Sequence, residues 1–362
     1  NAKRYGGMQY AYYLQGGGSG RTYYFPDAVR DPVDEIKALA GDAQVLYAQG
    51  CTPPAGIRKG KKESQETFEQ RRAKLMAKDR GLIDEAVAVA KQADTVVLVV
   101  GQSGDVESEG RDRNSAVLPG AQSDLIKQVS AANPNTVVVV ATGSYFDMAD
   151  WVDDVKGLVL HFYSGEKIGQ AMAEVLFGNV CPGGKLPVSF PKSADQYPEG
   201  SIFTGSGYSK QKISNVYSEG IFVGYRYFDT HDVEPLFPFG FGLSYTSFDY
   251  SGLQVVQGDE VEVTVTVKNT GPVAGDEIVQ LYVHDEEAGV PRPVRELKGF
   301  RRVSLQPGES QEVGFTLQRD AFSFWSPEEK NWTLEPGEFE IQIGASSRDI
   351  RVRHAFSINT DN

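Results

Sequence analysis

Short runs of β-branched and leucine residues recur along the first half of the chain, separated by stretches whose apolar residues fall three and four positions apart. The runs are "AQVLYA" around Val45, "DTVVLVV" from Asp94 to Val100, "NTVVVVAT" from Asn135 to Thr142 and "GLVLHFY" from Gly157 to Tyr163. Unbroken apolar runs of this length suit strands covered on both faces. The stretches between them predict amphipathic helices: "PVDEIKAL" from Pro32, with proline at a helix start, "GLIDEAVAVAKQA" from Gly81, "GAQSDLIKQVSAA" from Gly120 and "GQAMAEVLFG" from Gly169. Strand and helix alternating in this way predict right-handed crossovers and a mainly parallel sheet, an α/β sandwich domain over residues 1–191.

Residues 192–245 break that rhythm with Gly, Pro, Ser and many aromatics, as in "YSEGIFVGYRYFDTHDVEPLFPFGFGLSYTSF". The stretch is too aromatic for a floppy linker and reads as an ordered connector that packs across domain surfaces. Over residues 246–362 the period changes to two. "EVEVTVTVKNTG" alternates strictly, "EIVQLYVHD" follows, and "NTGPVAG", "LQPGES" and "LEPGEF" mark turns at hairpin spacing. Several short strands over this length predict an all-β sandwich, and the absence of cysteine from the region favours the fibronectin type III kind over the disulfide-bridged immunoglobulin kind.

The composition is that of a soluble globular protein, 40% hydrophobic and 23% charged, and the 362 residues suffice for two domains with buried cores. A net charge of -13 repels polyanions, and the densest basic stretch, "RKGKK" from Arg58 to Lys62, is too short for a phosphate-binding stripe, so no nucleic-acid partner is expected. No apolar run approaches the roughly 18–20 residues that cross a bilayer, so no membrane partner is expected either. Cys51 and Cys181 are too few for a disulfide framework and have no histidine at metal-ligand spacing. Both read as buried small side chains, and neither a metal nor a cofactor is expected.

The chemistry-bearing stretch is "GQSGDVESEGRDRN", Gly101 to Asn114, which follows an apolar strand and carries Asp105, Glu107, Glu109 and Asp112 with Arg111 and Arg113. Ligands of an open parallel sheet bind beyond the carboxyl ends of its strands, which is where this loop lies. "DVESEG" imitates the opening of a calcium loop, but the twelfth position, where a bidentate Glu belongs, is Ala116, and two arginines repel a cation. Two readings stay open on the residues alone. One is a solvated loop whose acids and arginines pair with little energy. The other is general acid/base catalysis, since a carboxyl crowded by other carboxylates keeps its proton towards neutral pH. A glycosidase needs such a donor and a second, opposed carboxyl, which one loop does not supply.

At this point the chain resembles glycoside hydrolase family 3 of the β-glucosidase type, over nearly its whole length. The resemblance rests on the order and spacing of "NAKRYGG", "QGGGSGR", "VVLVVGQSGDVESEGRDRNSAVLPGAQSDLI", "GQAMAEVLFGNVCPGGKLPVSFP", "YSEGIFVGYRYFD", "PLFPFGFGLSYTSF" and "VKNTGPVAGDEIVQLYVHD". It implies a retaining, exo-acting β-glycosidase that hydrolyses terminal non-reducing β-D-glucosyl residues, with cellulose degradation as a setting. A (β/α)₈ barrel carries the Asp nucleophile in that family, and the α/β sandwich lends the acid/base Glu. The "E-G-x-D-R" motif assigns that role to Glu109, with Glu107 as runner-up and Asp112 and Arg113 holding the loop's shape. In "QGGGSGR", Gln15 to Arg21, the glycines alone read as a tight turn; the resemblance adds Ser19 as a contact to the sugar.

The family's Ser-Asp-Trp nucleophile signature is absent, so the chain is expected to be one piece of a larger enzyme whose barrel lies elsewhere, as another chain or domain. The expected partners are a β-glucoside or oligosaccharide and that barrel; a homo-oligomer is compatible with the sequence. The expected location is secreted or periplasmic. The rival from another class is a non-catalytic carbohydrate-binding or scaffold module. Within the enzyme class, β-xylosidase, exo-glucanase and N-acetylglucosaminidase stay open, the last being disfavoured because those relatives often lack the loop-borne Glu. His161 reads as a satisfied core or crevice imidazole, Trp325 and Trp332 as core or interface rather than sugar platforms, and Tyr225 to Phe241 as packing between surfaces. Asn331-Trp332-Thr333 is a glycosylation sequon.

Overall fold

Val138, Val139 and Val140 are fully buried, and they form the middle of the sheet that organises the first half of the chain. The computed structural model describes residues 25, 29–52, 62–102, 106, 107, 109, 113, 115–198 and 219–359. These divide between two units, Asn1–Phe177 with Ser193–Asn215, and Gly178–Lys192 with Val216–Asn362.

In the first unit, α1 (Pro32–Leu39) starts at Asp31, whose side chain accepts the Val33 N–H at 2.8 Å, with Pro32 at the first helical position. A long helix, α2 (Gln65–Ala90), leads to β1 (Val96–Gly101); α3 (Gln122–Ala132) leads to β2 (Thr136–Ala141), then β3 (Gly157–His161) and α4 (Ile168–Leu176). The three strands form one parallel sheet in the order β1-β2-β3, with Val97 opposite Val137 and Val137 opposite Gly157. Full burial of each central valine stabilises by about 1.5–3 kcal/mol relative to exposure, which is why the unbroken valine run takes the middle position. Ile83, Ala86 and Ala90 of α2 pack with Leu125 and Val129 of α3 and with Cys51. Asn133 ties the end of α2 to the start of β2 by donating to the carbonyls of Ala90 and Ala93, at 3.0 and 2.7 Å.

Two expectations need correction. The segment around Val45 is irregular rather than a strand: it does not pair into the β1-β2-β3 sheet, and Leu46 is exposed. The helix placed at Gly81 begins 16 residues earlier, at Gln65. Its first half is mostly polar, with Phe68, Leu75 and Met76 too few for a continuous apolar stripe. It is held by a Ser64 cap on the Thr67 N–H and by Gln65–Glu69 and Glu66–Gln70 pairs one turn apart.

Among its described residues the second unit contains the short helix α5 (Tyr225–Thr230) and nine strands: β4 (Phe248–Gln257), β5 (Val261–Asn269), β6 (Gly275–Asp285), β7 (Glu296–Leu305), β8 (Ser310–Leu317), β9 (Phe324–Ser326), β10 (Asn331–Thr333), β11 (Gly337–Gly344) and β12 (Ile350–Ile358). A four-stranded sheet, β12-β11-β6-β7, and a three-stranded one, β4-β5-β8, make the fibronectin type III-like sandwich; β9 and β10 form a separate ribbon. β5 alternates as its sequence predicts, with Val261, Val263, Val265 and Val267 inward, where they meet Val279, Leu281, Val283, Ile341 and Ile343 of the other sheet.

β6 is buried on both faces, because the aromatic segment after residue 219 covers its outer side. Tyr225 stacks on Phe239 at 4.8 Å and meets the edge of Tyr282 at 6.0 Å, and its hydroxyl accepts the Leu297 N–H at 2.8 Å. Phe190 and Phe237 form an antiparallel bridge, and Leu186 and Phe241 continue the pairing. The aromatic stretch and the "KLPVSF" segment are thus parts of one packed layer on the sandwich.

Candidate active site

All three strands of the parallel sheet run the same way, so their carboxyl ends share one edge. That edge carries Gln102 and the acidic loop after β1, Thr142 to Ser144 after β2, and Phe162 and Tyr163 after β3. It is the edge at which open α/β sheets hold ligands.

The two candidate acids are in contrasting environments there. The Glu107 carboxylate is half-buried and accepts three hydrogen bonds: from the Gly143 N–H at 2.9 Å, from the Ser144 hydroxyl and from the Tyr163 hydroxyl. Glu109, two residues on, sits in a turn with its side chain exposed to solvent. Of the other loop positions, Arg113 is described and half-buried. Burial pushes the hydroxyls of Tyr145, Tyr163 and Tyr197 up from their ordinary values, and the Arg113 guanidinium opposes that shift in each. The three tyrosines therefore keep their protons; Tyr145 donates to Asp147 and Tyr163 to Glu107. Asp105, Arg111 and Asp112 lie outside the described residues, as does Ser19.

Two further groups face this edge. Gln102 is 1% exposed, and neither end of its amide has a hydrogen-bond partner among the described residues. Buried amides are seldom left so. His161 ends β3 with Nδ1 2.9 Å from the Phe162 carbonyl; burial lowers its basicity, so the ring is neutral at pH 7 with the proton on Nδ1. Among the described residues no three His, Cys, Asp or Glu side chains are grouped to hold a metal ion, and no helix is long and apolar enough to cross a membrane.

Outside the edge, Trp151 is buried against Phe146, whereas Trp325 and Trp332 are 51% and 60% exposed. These last two face each other across the β9–β10 ribbon at 6.0 Å, edge to face, which corrects the expectation of a core position for them. Cys51 is buried; Cys181 is only half-buried, its sulfur 3.1 Å from the Ser244 hydroxyl.

Gly143, Ser144 and Tyr163 were not singled out by the sequence. The signal that finds them is position: each follows an apolar run at the same edge as the acidic loop. The chemistry available here is proton exchange with a bound ligand by an exposed carboxyl whose loop is tied down two residues away.

A family profile described as "Glycosyl hydrolase family 3 C-terminal domain" matches residues 3–225, and one described as "Fibronectin type III-like domain" matches residues 277–347. The chain is similar to thermostable beta-glucosidase B of Acetivibrio thermocellus, 40% identical over 349 residues, which are 95% of this chain and 43% of that protein. It is also similar to an exo-alpha-(1->6)-L-arabinopyranosidase of Bifidobacterium longum, 41% identical over 78% of this chain and 37% of that protein. Among solved structures, the GH3 beta-glucosidase of Bifidobacterium adolescentis superposes with a TM-score of 0.79 at 37% identity, covering 91% of this chain and 45% of that one. The chain spans less than half the length of these relatives.

Proposed function

Because the chain belongs to glycosyl hydrolase family 3, we propose that it supplies the general acid/base of a retaining, exo-acting β-glucosidase. Glu109 is the acid/base, and the nucleophilic carboxylate comes from a barrel outside this chain. The observation that carries the assignment is the contrast at the sheet edge: the Glu107 carboxylate is occupied by three donors, whereas Glu109 is exposed to solvent.

In the first step the Glu109 carboxyl gives its proton to the glycosidic oxygen as the C1–O bond breaks. The nucleophilic carboxylate forms an ester to C1, and the aglycone leaves as an alcohol. In the second step the Glu109 carboxylate takes a proton from water as the water oxygen attacks C1 and the ester carboxylate departs. Substrates whose leaving group is already acidic need the first proton least. In the whole enzyme, Glu109→Ala is expected to slow alkyl β-glucosides severely, to spare the first step of dinitrophenyl β-glucoside, and to be rescued by azide as a β-glucosyl azide. Equal loss on both substrates, or full activity, would sink the assignment.

A second reading keeps the acid/base role and changes the sugar, since one relative at 41% identity is named an arabinopyranosidase. A panel of aryl glycosides assayed with the whole enzyme separates the two.

A further inference from the structure

The Glu107 carboxylate sits in a niche made by the ends of two neighbouring strands. Gly143 and Ser144 follow β2, and Tyr163 follows β3. Oε2 accepts the Gly143 N–H and the Tyr163 hydroxyl, and Oε1 accepts the Ser144 hydroxyl. The turn that presents two of these donors is cross-braced: the Thr142 hydroxyl donates to the Ser144 carbonyl at 2.7 Å and accepts the Ser144 N–H at 3.2 Å.

Glycine at 143 leaves the room that the Tyr163 ring and the carboxylate fill. A Cβ there would lie 2.8 Å from the Tyr163 ring and 3.2 Å from both the Glu107 carboxyl carbon and Oε1. A solvated loop acid has no use for such a niche, because exposed ion pairs gain little and leave the side chain mobile. Hydrogen bonds to an ionised acceptor are stronger than neutral ones, and here three donors on the segments after two strands share one carboxylate.

We infer that Glu107 is a positioning residue: it moors the loop to the ends of β2 and β3 and so sets where the Glu109 carboxyl meets the glycosidic oxygen. This rests on the reading of Glu109 as the acid/base. Two residues of extended chain span at most about 7 Å, so a shift of the mooring is passed to Glu109 with little slack. A misplacement of about 1 Å is enough to cost roughly 100-fold in a reaction that depends on alignment.

The test uses the whole enzyme with Glu107→Gln, Tyr163→Phe and Ser144→Ala, the last two each removing one hydroxyl donor. For the Glu107 and Tyr163 variants, kcat/KM on an alkyl β-glucoside is expected to fall by about 10–100-fold, and on dinitrophenyl β-glucoside by less than about threefold, with Ser144→Ala smaller in the same sense. In a Glu109→Ala background the same changes are expected to have almost no further effect on the alkyl substrate, since no proton donor is left to place. Azide should rescue Glu109→Ala and not Glu107→Ala.

Equal loss on both substrates in all three variants, or full additivity with Glu109→Ala, overturns the inference in favour of a merely structural niche. Azide rescue of Glu107→Ala overturns it by making Glu107 itself the acid/base. If Glu109→Ala lacks the acid/base signature, the underlying assignment has failed. If it has that signature while the mooring variants match the wild type, only the positioning role has failed.

Discussion

The side-chain amide of Gln122 closes the end of β1 by pairing with both backbone groups of Gly101. Its Oε1 accepts the Gly101 N–H at 2.7 Å and its Nε2 donates to the Gly101 carbonyl at 2.8 Å. A third bond runs from Nε2 to the Pro119 carbonyl, also at 2.8 Å. Gln122 is fully buried and stands where a neighbouring strand would, so the strand that feeds the acidic loop ends with its polar groups satisfied.

Removing that amide leaves buried backbone groups without partners. Gln122→Ala is expected to destabilise the protein by about 2–4 kcal/mol, since each orphaned group costs about 1–3 kcal/mol. Thermal unfolding measures the loss, and a shift of less than a degree would refute the role given to Gln122.

Gly240 and Gly308 offer a matched pair. Both have positive φ, +81° and +79°, but a Cβ on Gly240 would lie 2.2 Å from Gln280 Oε1, whereas one on Gly308 meets nothing within 4 Å. Gln280 has no freedom to retreat, because Nε2 donates to the carbonyls of Gly240 and Ala345 and Oε1 accepts the Tyr282 hydroxyl. Gly308→Ala should cost only the left-handed backbone penalty, about 1–2 kcal/mol. Gly240→Ala adds overpacking and should cost about 2–5 kcal/mol. Equal melting temperatures for the two variants would contradict this.

Asp229 of α5, with its side chain 2% exposed, is shared by Arg295 at 3.3 Å and by Arg348, whose Nη2 also donates to the carbonyls of Phe228 and Val233. Asp229→Ala is expected to cost about 3–5 kcal/mol, because Arg295 loses its acidic partner inside the protein, while Arg348 keeps Asp232 and Glu234 nearby. Asp229→Asn keeps the shape and one acceptor and should cost less. The order of the two variants in denaturant unfolding is the check.

Acid sensitivity follows from Glu296. Burial by itself would push its carboxyl up, but Lys298 and Arg292, through charge and hydrogen bonds, outweigh burial and hold it below the ordinary carboxylate range. A carboxyl lowered in the folded state stabilises above its unfolded value, about 4.3 for Glu, and loses that contribution as pH falls through the folded value. The stability difference between wild type and Glu296→Gln should therefore be constant above about pH 5 and shrink on acidification below about pH 4. A difference that does not change between pH 3 and pH 7 would rule this out.

The pattern along the chain by itself determined the parallel strands at Val96, Thr136 and Gly157, the helix at Pro32, and the inward valines of β5. Period and cap residues are local signals, and burial at these positions agrees with them. The mostly polar first half of α2 escaped that reading because pairs one turn apart stabilise a helix whose few apolar residues, Phe68, Leu75 and Met76, leave no continuous stripe. Tertiary structure alone decided that β6 is covered on both faces, since residues some 40–60 positions away in sequence, Gly240 and Tyr225, supply the cover. It also decided the difference between Glu107 and Glu109. The loop's spacing makes the two acids nearly equivalent, and only the joining of the ends of β1, β2 and β3 at one edge brings Gly143, Ser144 and Tyr163 to one of them and leaves the other exposed.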